Sequence, residues 1–340
     1  MKQSFGFLPD GREATLYTLT CGKLTAKVTD LGAALVELWA PDREGKVADV
    51  VLGYDDCTGY LKGDAFLGVI VGRNANRVKG ASFVMGDTRV RICNNEEDNS
   101  LHSGPDFFHT RLWKAERVSE RSVTFYLFSP QGDQGFPGNA HIRVTYALED
   151  ANTLKITYDA VADSDTVFNM TNHSYFNLAG HDKTHKALDQ ELILPARYFN
   201  PDDAENIPTG ELRPVDGTPM DFRSPKTLGR DINARYEPLH LQEGYDHNFE
   251  VYTAPCAILT DKESGRSMAI TTDLPGIQVY TANFTNEDGK GGVHYGLRSG
   301  VALETQYIPN SVNHPEWKQP FFKAGQRCHS ETSFRFAVVK

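Results

Sequence analysis

The chain has 340 residues, with 35 Lys and Arg against 45 Asp and Glu, so its formal net charge at pH 7 is -10. A negative field repels phosphate polymers and anionic lipid, so we expect neither nucleic acid nor a membrane as a partner. The first residues contain no apolar run of signal-peptide length, and no later stretch approaches a membrane span. The sequence therefore predicts a cytoplasmic protein.

The cysteines do not form a recognisable framework. They are odd in number, widely spaced and lack any CxxC pair, at positions 21, 57, 93, 256 and 328. We therefore expect small buried side chains rather than disulfides or a zinc site. The sequence also lacks an HExxH motif, a P-loop and a GxGxxG motif that opens a helix, so we expect no cofactor and no metal.

Apolar and polar residues alternate with period two through much of the chain, which predicts strands. The clearest segments are 24–28, 123–128, 142–148, 154–158, 257–260, 268–272 and 334–338. Turn formers at 149–152 and 262–266 predict hairpins between neighbouring strands. Because no shift in composition marks a boundary, we predict an all-β fold, one large antiparallel β-sandwich that forms a single domain over 1–340.

Four segments are rich in turn formers and predict loops, at 93–106, 180–188, 200–220 and 286–296. Loops and strand ends carry most functional groups of a sandwich, so loops this numerous favour a covered cleft. The glycine-rich stretch 289–296 lacks the strand-to-helix setting of a phosphate-binding loop. We interpret it as a flexible connection.

Arginine and asparagine recur in the segment 72–80, which precedes a predicted strand at 81–85. Their planar, fixed sets of donors suit sugar hydroxyls. A solvated turn with surface charges fits these residues equally well.

His173 follows the strand-like segment 165–170 and lies among neutral amide and hydroxyl side chains. Its ordinary pKa is close to neutral, so it could carry a proton, although a structural histidine fits the pattern as well.

His102 lies in a loop of small residues, where a lone histidine usually has no catalytic role. We interpret His314 as structural.

Two carboxylates occur in strand-like sequence. Asp246 lies just ahead of the segment 248–252, where the alternative is an Asp turn or cap. Glu304 should share a strand face with Ala302 and Gln306. If that face lines a cleft, desolvation raises the pKa of Glu304 toward the range of a general base, whereas on a solvated face it is a rim carboxylate.

Six motifs occur together in a fixed order, and with them the chain resembles the galactose mutarotase (aldose 1-epimerase) family over nearly its whole length. They are GRNANR at 72–77, NSLH at 99–102, TNHSYFNL at 171–178, GYDH at 244–247, GIQVY at 276–280 and LETQ at 303–306. The resemblance implies a β-sandwich that interconverts the α and β anomers of free hexoses such as galactose and glucose, without a cofactor.

The resemblance also implies roles for individual residues. Glu304 resembles the family's general base, His173 its general acid, and His102 a second histidine at the reacting edge. The implied sugar-hydroxyl ligands are Asn76, Arg77, Asp246 and Gln278, with Arg77 preferred over Arg73. The implied partner is a small aldohexose, bound by a monomer or a homodimer.

Ser103 departs from the glycine pair that commonly follows this histidine in the family, and the bulky Phe107 and Phe108 make the loop beyond it unusual. Substrate preference is therefore left open. Two other functions remain open as well: a catalytically silent sugar-binding sandwich, and an epimerase of hexose 6-phosphates. The second would need extra cations beside the pocket, for which Lys290 and Arg298 are candidates.

Overall fold

Strands make up most of the regular structure in the computed structural model, which describes residues 1–339. The two α-helices of these residues are short, α1 (Cys57–Lys62) and α2 (Glu237–Leu241). The strands, in chain order, are β1 (Lys2–Phe7), β2 (Glu13–Cys21), β3 (Leu24–Thr29), β4 (Leu35–Pro41), β5 (Val47–Asp49), β6 (Ile70–Val71), β7 (Arg77–Val78), β8 (Ser82–Met85), β9 (Thr88–Arg91), β10 (Ser100–Leu101), β11 (Lys114–Val118), β12 (Ser122–Ser129), β13 (Ala140–Asp150), β14 (Thr153–Ala162), β15 (Thr166–Val167), β16 (Thr171–Asn172), β17 (Tyr175–Phe176), β18 (Glu191–Ile193), β19 (Tyr198–Phe199), β20 (Arg213–Pro214), β21 (Lys226–Thr227), β22 (Asp246–Glu250), β23 (Ala257–Thr260), β24 (Arg266–Thr272), β25 (Gly276–Tyr280), β26 (Glu287–Asp288), β27 (His294–Tyr295), β28 (Val301–Gln306), β29 (Phe321–Phe322) and β30 (Cys328–Val338).

Three sheets form the body of the fold. A nine-stranded sheet has the order β11-β12-β13-β14-β30-β24-β23-β18-β21, a six-stranded sheet the order β17-β28-β25-β22-β19-β20, and a five-stranded sheet runs from β1 to β5. The strands of each sheet pair antiparallel with their neighbours. The chain is therefore a layered antiparallel β-sandwich, as the alternation predicted.

The six-stranded sheet packs one face on the nine-stranded sheet. The Oγ1 atom of Thr305 in β28 lies 2.6 Å from that of Thr332 in β30, and the rings of Phe176 and Phe334 are 5.3 Å apart. One apolar cluster joins buried residues from Tyr17 to the C-terminal strand. A shared core supports the proposal of a single domain over 1–340.

All seven segments with the clearest alternation lie in strands, and both predicted hairpins are confirmed. The turn at 149–152 joins β13 to β14, and the turn at 262–266 joins β23 to β24. The segment 257–260 coincides with β23, and the other six segments are shorter than the strands that contain them.

Asp246 is the first paired residue of β22, because it pairs with Tyr280, so the alternative of an Asp turn or cap ahead of the strand does not hold. Two local predictions were wrong. The predicted loops 93–106, 200–220 and 286–296 contain short strands, which local alternation cannot reveal at two residues. The loop at 289–296 is pinned rather than free, because buried Lys290 pairs with Asp49 and donates to the Val36 carbonyl at 2.7 Å.

Among residues 1–339, no helix combines the length and the apolar character that crossing a membrane requires.

Candidate active site

Strand register brings the predicted carboxylates onto one face of the six-stranded sheet. Glu304 of β28 pairs with Gln278 of β25, and Asp246 of β22 pairs with Tyr280 of β25. Because side chains two residues apart share a face, Asp246, Gln278 and Glu304 all point away from the nine-stranded sheet. The opposite face carries Leu303, which lies in the apolar core.

His173 follows β16 and is held at its backbone by a neighbouring turn. Its N–H donates to the Val69 carbonyl, and its own carbonyl accepts from the Gly68 N–H, both at 2.9 Å. Gly68 has φ +72°, and a Cβ there would lie 2.1 Å from the Leu35 carbonyl oxygen. Only glycine fits this position, so a sterically demanding turn fixes the height of the histidine above the sheet.

Six of the seven predicted site residues line one cavity of about 260 Å³. The size is near the lower limit of small-molecule pockets, which run from roughly 300 to 1,000 Å³. The predicted residues in the lining are Asn76, Arg77, His102, His173, Asp246 and Glu304. Segments more than two hundred residues apart in the chain thus converge on one small polar cavity.

The two proposed proton carriers face each other in this cavity. Nε2 of His173 lies 3.6 Å from Oε1 of Glu304, and the two side chains are 6% and 3% exposed. Nδ1 of His173 and Oε2 of Glu304 have no protein partner. Each group therefore keeps one buried polar atom that no protein group satisfies.

Burial shifts both pKa values toward the neutral forms. Desolvation raises the pKa of Glu304 well above its ordinary value, and the charge of Asp246 adds to that effect. Desolvation lowers the pKa of His173 to about 4. Burial thus favours a pair in which Glu304 is protonated and His173 is neutral, and a proton can move between the two without changing the net charge of the cavity.

His102 is held as a neutral hydrogen-bond donor. Its Nδ1 accepts the backbone N–H of Asn76 at 3.1 Å, so the ring proton resides on Nε2. Burial lowers the pKa of His102 well below its usual value, and His173 and Arg77 add to that effect. Its ring centroid lies 5.5 Å from that of His173, which places it beside the reacting pair.

Arg77 and Arg73 have different surroundings. Arg77 lines the cavity and donates from Nε and Nη2 to the Glu96 carboxylate at 2.6 and 2.8 Å. Burial disfavours its cation, but the bonds to Glu96 and the charge of Asp246 outweigh burial and raise its pKa. Arg73 is fully buried and donates to the oxygens of a loop, among them the Ser129 carbonyl at 2.8 Å. Only Arg77 is available to a ligand.

Asn76 and Asp246 each keep one polar end free. The Oδ1 atom of Asn76 accepts the Arg77 N–H at 2.7 Å, which leaves the Asn76 amide NH₂ as a donor. Oδ1 of Asp246 accepts from Nε2 of Gln278 at 2.7 Å, which leaves its second oxygen as an acceptor. Burial raises the pKa of Asp246, while the nearby Arg77 cation opposes that shift.

Gln278 is the predicted site residue that the structure does not place in the lining. It is buried behind Asp246, and its Oε1 atom accepts from Nε2 of Gln306 at 3.5 Å. Both ends of its amide are therefore used within the protein. The geometry makes Gln278 a support for Asp246.

Sequence reasoning missed most of the apolar walls of the cavity. Tyr175 and Tyr280 lie in the recognised motifs, and period-two alternation with Gln278 could have placed Tyr280 on the cavity face. Phe66 and Glu96 carried no local signal. The remaining lining residues are Asp64, Ala65, Leu101, Asn206, Phe284 and Thr285.

The unusual loop after His102 is well anchored. The hydroxyl of Ser103 accepts the Asn74 N–H at 3.0 Å and donates to the Asn74 carbonyl at 2.9 Å. Phe107 packs its ring against Phe66, with centroids 5.2 Å apart. Ser103 and Phe107 do not line the cavity themselves, but Phe107 packs behind Phe66, which does. His314 stacks on Trp317 with centroids 4.2 Å apart, which agrees with a structural histidine.

Within residues 1–339, no three His, Cys, Asp or Glu side chains are grouped so that they could ligate a metal ion.

Sequence and structure comparisons match known proteins over nearly the whole chain. The family model described as aldose 1-epimerase matches residues 15–335. The galactose mutarotase of Mus musculus is 38% identical over 342 residues, which is 98% of each chain, and the aldose 1-epimerase of Haemophilus influenzae is 36% identical over 96% of this chain and 97% of its own. The solved structure of an aldose epimerase homologue from C. elegans superposes with a TM-score of 0.88 at 30% identity and covers 96% of this chain and 99% of its own.

Proposed function

This chain belongs to the aldose 1-epimerase family, and we propose that Glu304 and His173 are its catalytic base and acid. The enzyme is an isomerase that interconverts the α and β anomers of an aldose. The observation that supports this assignment most directly is the 3.6 Å separation of the two side chains inside one cavity. A carboxylate and an imidazole at this distance can serve the C1 hydroxyl and the ring oxygen of one sugar, which are both bonded to C1.

Ring opening needs only two proton transfers. Glu304 as carboxylate takes the proton of the C1 hydroxyl while His173 as imidazolium gives a proton to the ring oxygen. The bond between C1 and the ring oxygen then breaks, and its electron pair goes to the oxygen as C1 becomes an aldehyde carbon. After rotation about the C1–C2 bond, the ring closes on the other face of the carbonyl with the two roles reversed.

The singly protonated pair is the active form of the site. The proton that Glu304 holds in the empty, buried pair has to be on His173 when the sugar binds. This transfer leaves the net charge unchanged but turns a neutral pair into a buried ion pair, so hydrogen bonds from the bound sugar have to offset the desolvation of both charges.

Four further residues are proposed to hold the sugar. His102 donates through Nε2–H, Asn76 through its amide, and Arg77 through the part of its guanidinium that faces the cavity. Asp246 accepts through its free carboxylate oxygen. Donors and acceptors around a neutral ring suit a polyhydroxylated ligand, for which directional hydrogen bonds give both affinity and orientation.

We propose free aldohexoses, galactose and glucose, as the substrates. The relatives named galactose mutarotase are similar over 98% of this chain, and a cavity of about 260 Å³ suits a single sugar ring.

The structure does not favour an epimerase of hexose 6-phosphates. Among the described lining residues, Arg77 is the one cation, and Glu96 already engages it. Lys290 is buried against Asp49, and Arg298 donates to the Glu243 carbonyl at 3.0 Å outside the cavity lining.

A catalytically silent sugar-binding protein is not favoured either. Such a protein needs hydroxyl ligands but no matched acid and base, and this cavity contains both Glu304 and His173.

Polarimetry of freshly dissolved α-galactose and α-glucose tests the proposal, with correction for spontaneous exchange. We expect the purified protein to accelerate equilibration and the Glu304→Gln variant to lose that acceleration. Inorganic phosphate should not inhibit the reaction. No acceleration by the unchanged protein, or strong competitive inhibition by phosphate, contradicts the proposal.

A further inference from the structure

The ring of Phe66 is in contact with both imidazoles of the site. Its centroid lies 4.8 Å from that of His102 and 5.8 Å from that of His173, with the Phe66 and His173 planes inclined by 31°. Phe66 is half-buried and lines the cavity. One apolar ring therefore forms a wall shared by the two histidines.

The backbone ties this ring to His173. Phe66 has φ +56°, a left-handed conformation that a bulky residue seldom adopts. Two and three residues later, Gly68 and Val69 make the backbone hydrogen bonds that hold His173. A strained residue persists when its surroundings fix it, and such residues are concentrated at functional sites.

Other rings hold Phe66 from behind. Phe107 meets it edge-on with centroids 5.2 Å apart, and His109 meets it edge-on at 4.8 Å. Phe107 and His109 are themselves stacked with centroids 4.9 Å apart. Neither Phe107 nor His109 lines the cavity, so both rings support the face of Phe66 that points away from the cavity.

We propose that Phe66 is a positioning residue, whose ring fixes the planes of His102 and His173 and keeps bulk water from the proposed acid. This inference rests on the proposed function. It goes beyond the acid–base assignment because it makes an apolar side chain responsible for the protonation behaviour of the pair.

The groups around His173 determine how this can be measured. The titratable side chains that face it are Glu304, His102, Tyr175, Tyr280 and His109, with Asp246 and Arg77 farther along the cavity. Burial lowers the pKa of His109 to about 4, close to that of His173. Burial raises the pKa values of Tyr175 and Tyr280, so they do not titrate in acid.

The test is the pH profile of exchange by the Phe66→Gly variant. Glycine accepts the left-handed backbone, so this change deletes the ring without adding strain. We expect kcat to fall about 10- to 100-fold because the imidazoles lose their fixed orientation. We also expect the acid limb of the profile to move to higher pH, because water that enters restores the pKa of His173 toward its ordinary value.

A Phe66→Leu variant, which keeps apolar volume but no ring, should show the loss in kcat with a smaller shift of the acid limb. Measuring both variants in a His109→Asn background, with the single His109→Asn variant as the reference because His109 braces Phe66, assigns the remaining shift to Glu304 and His173. Phe284→Leu is the matched control, since Phe284 lines the same cavity but is 59% exposed, and its acid limb should not move.

An unmoved acid limb in folded Phe66→Gly and Phe66→Leu overturns the proposal, even if kcat falls. If the unchanged protein shows no exchange at all, the proposed function itself fails. The two failures are therefore distinguishable.

Discussion

Nε2 of His173 and Oε1 of Glu304 lie 3.6 Å apart although 131 positions separate the two residues in the chain, from 173 to 304. Both side chains are buried, and among residues 1–339 neither forms an ion pair with any other group. An isolated charge in such a place is costly, whereas a pair that shares one proton is not. The relationship therefore suits two groups that pass a proton through a bound neutral molecule.

Replacement of Glu304 by glutamine should abolish anomer exchange and preserve binding. The amide keeps the shape of the carboxyl but cannot accept a proton, and a positioned base is worth ~10²–10⁴ in rate. Polarimetry measures the loss, and calorimetric titration with galactose measures binding. Turnover like that of the unchanged protein would remove Glu304 from the role of base.

Replacement of His173 by asparagine should lower kcat by a similar ~10²–10⁴ because the ring oxygen loses its proton donor. The residual activity should also lose its acid limb, since no imidazole remains to take up a second proton. Normal activity in the folded variant, checked by circular dichroism, contradicts the assignment of His173 as acid.

The pH dependence of kcat/KM, which reports the pKa values of the free enzyme, should be broad and bell-shaped. The pair works with one proton, so rate is lost in acid as His173, whose pKa is lowered to about 4, takes a second proton. Rate is lost again in alkali as the pair gives up its last proton, and the raised pKa of Glu304 moves that limb upward. Buffer-corrected polarimetry from acid to alkaline pH measures the profile. If the loss of rate with rising pH already begins near the ordinary pKa of glutamate, the prediction is wrong.

The two arginines of the GRNANR motif should differ in what they control. Arg77→Lys should raise KM with little change in kcat, because a ligand contact acts on substrate and transition state alike. Arg73→Lys should instead lower the free energy of unfolding by about 3 kcal/mol or more, since lysine has fewer donors and buried carbonyls lose their partners. Urea unfolding and steady-state polarimetry separate the two, and a reversed pattern refutes the distinction.

Gln278 should act through Asp246. Gln278→Leu removes the 2.7 Å bond that orients the carboxylate, so we expect KM to rise. In an Asp246→Ala background the same change should have a much smaller effect, because coupled residues are not additive. Fully additive effects on KM indicate instead that Gln278 contacts the sugar directly.

Much of the fold followed from local pattern. Alternation of apolar and polar residues located the long strands, since a strand with one buried face must alternate with period two. The same rule placed Glu304 on a face with Ala302 and Gln306, which the register with Gln278 and Tyr280 confirms. The motifs also separated Arg77 from Arg73, and the geometry agrees with that choice.

The sequence by itself thus determined the strand content and which residue types could carry protons or hold hydroxyls. Tertiary structure decided that Gln278 supports Asp246, that Glu96 engages Arg77, that Lys290 is buried, and that Phe66 walls both histidines. The reason is physical: these contacts depend on strand register and on turns between segments far apart in the chain, and no periodicity within one segment encodes them.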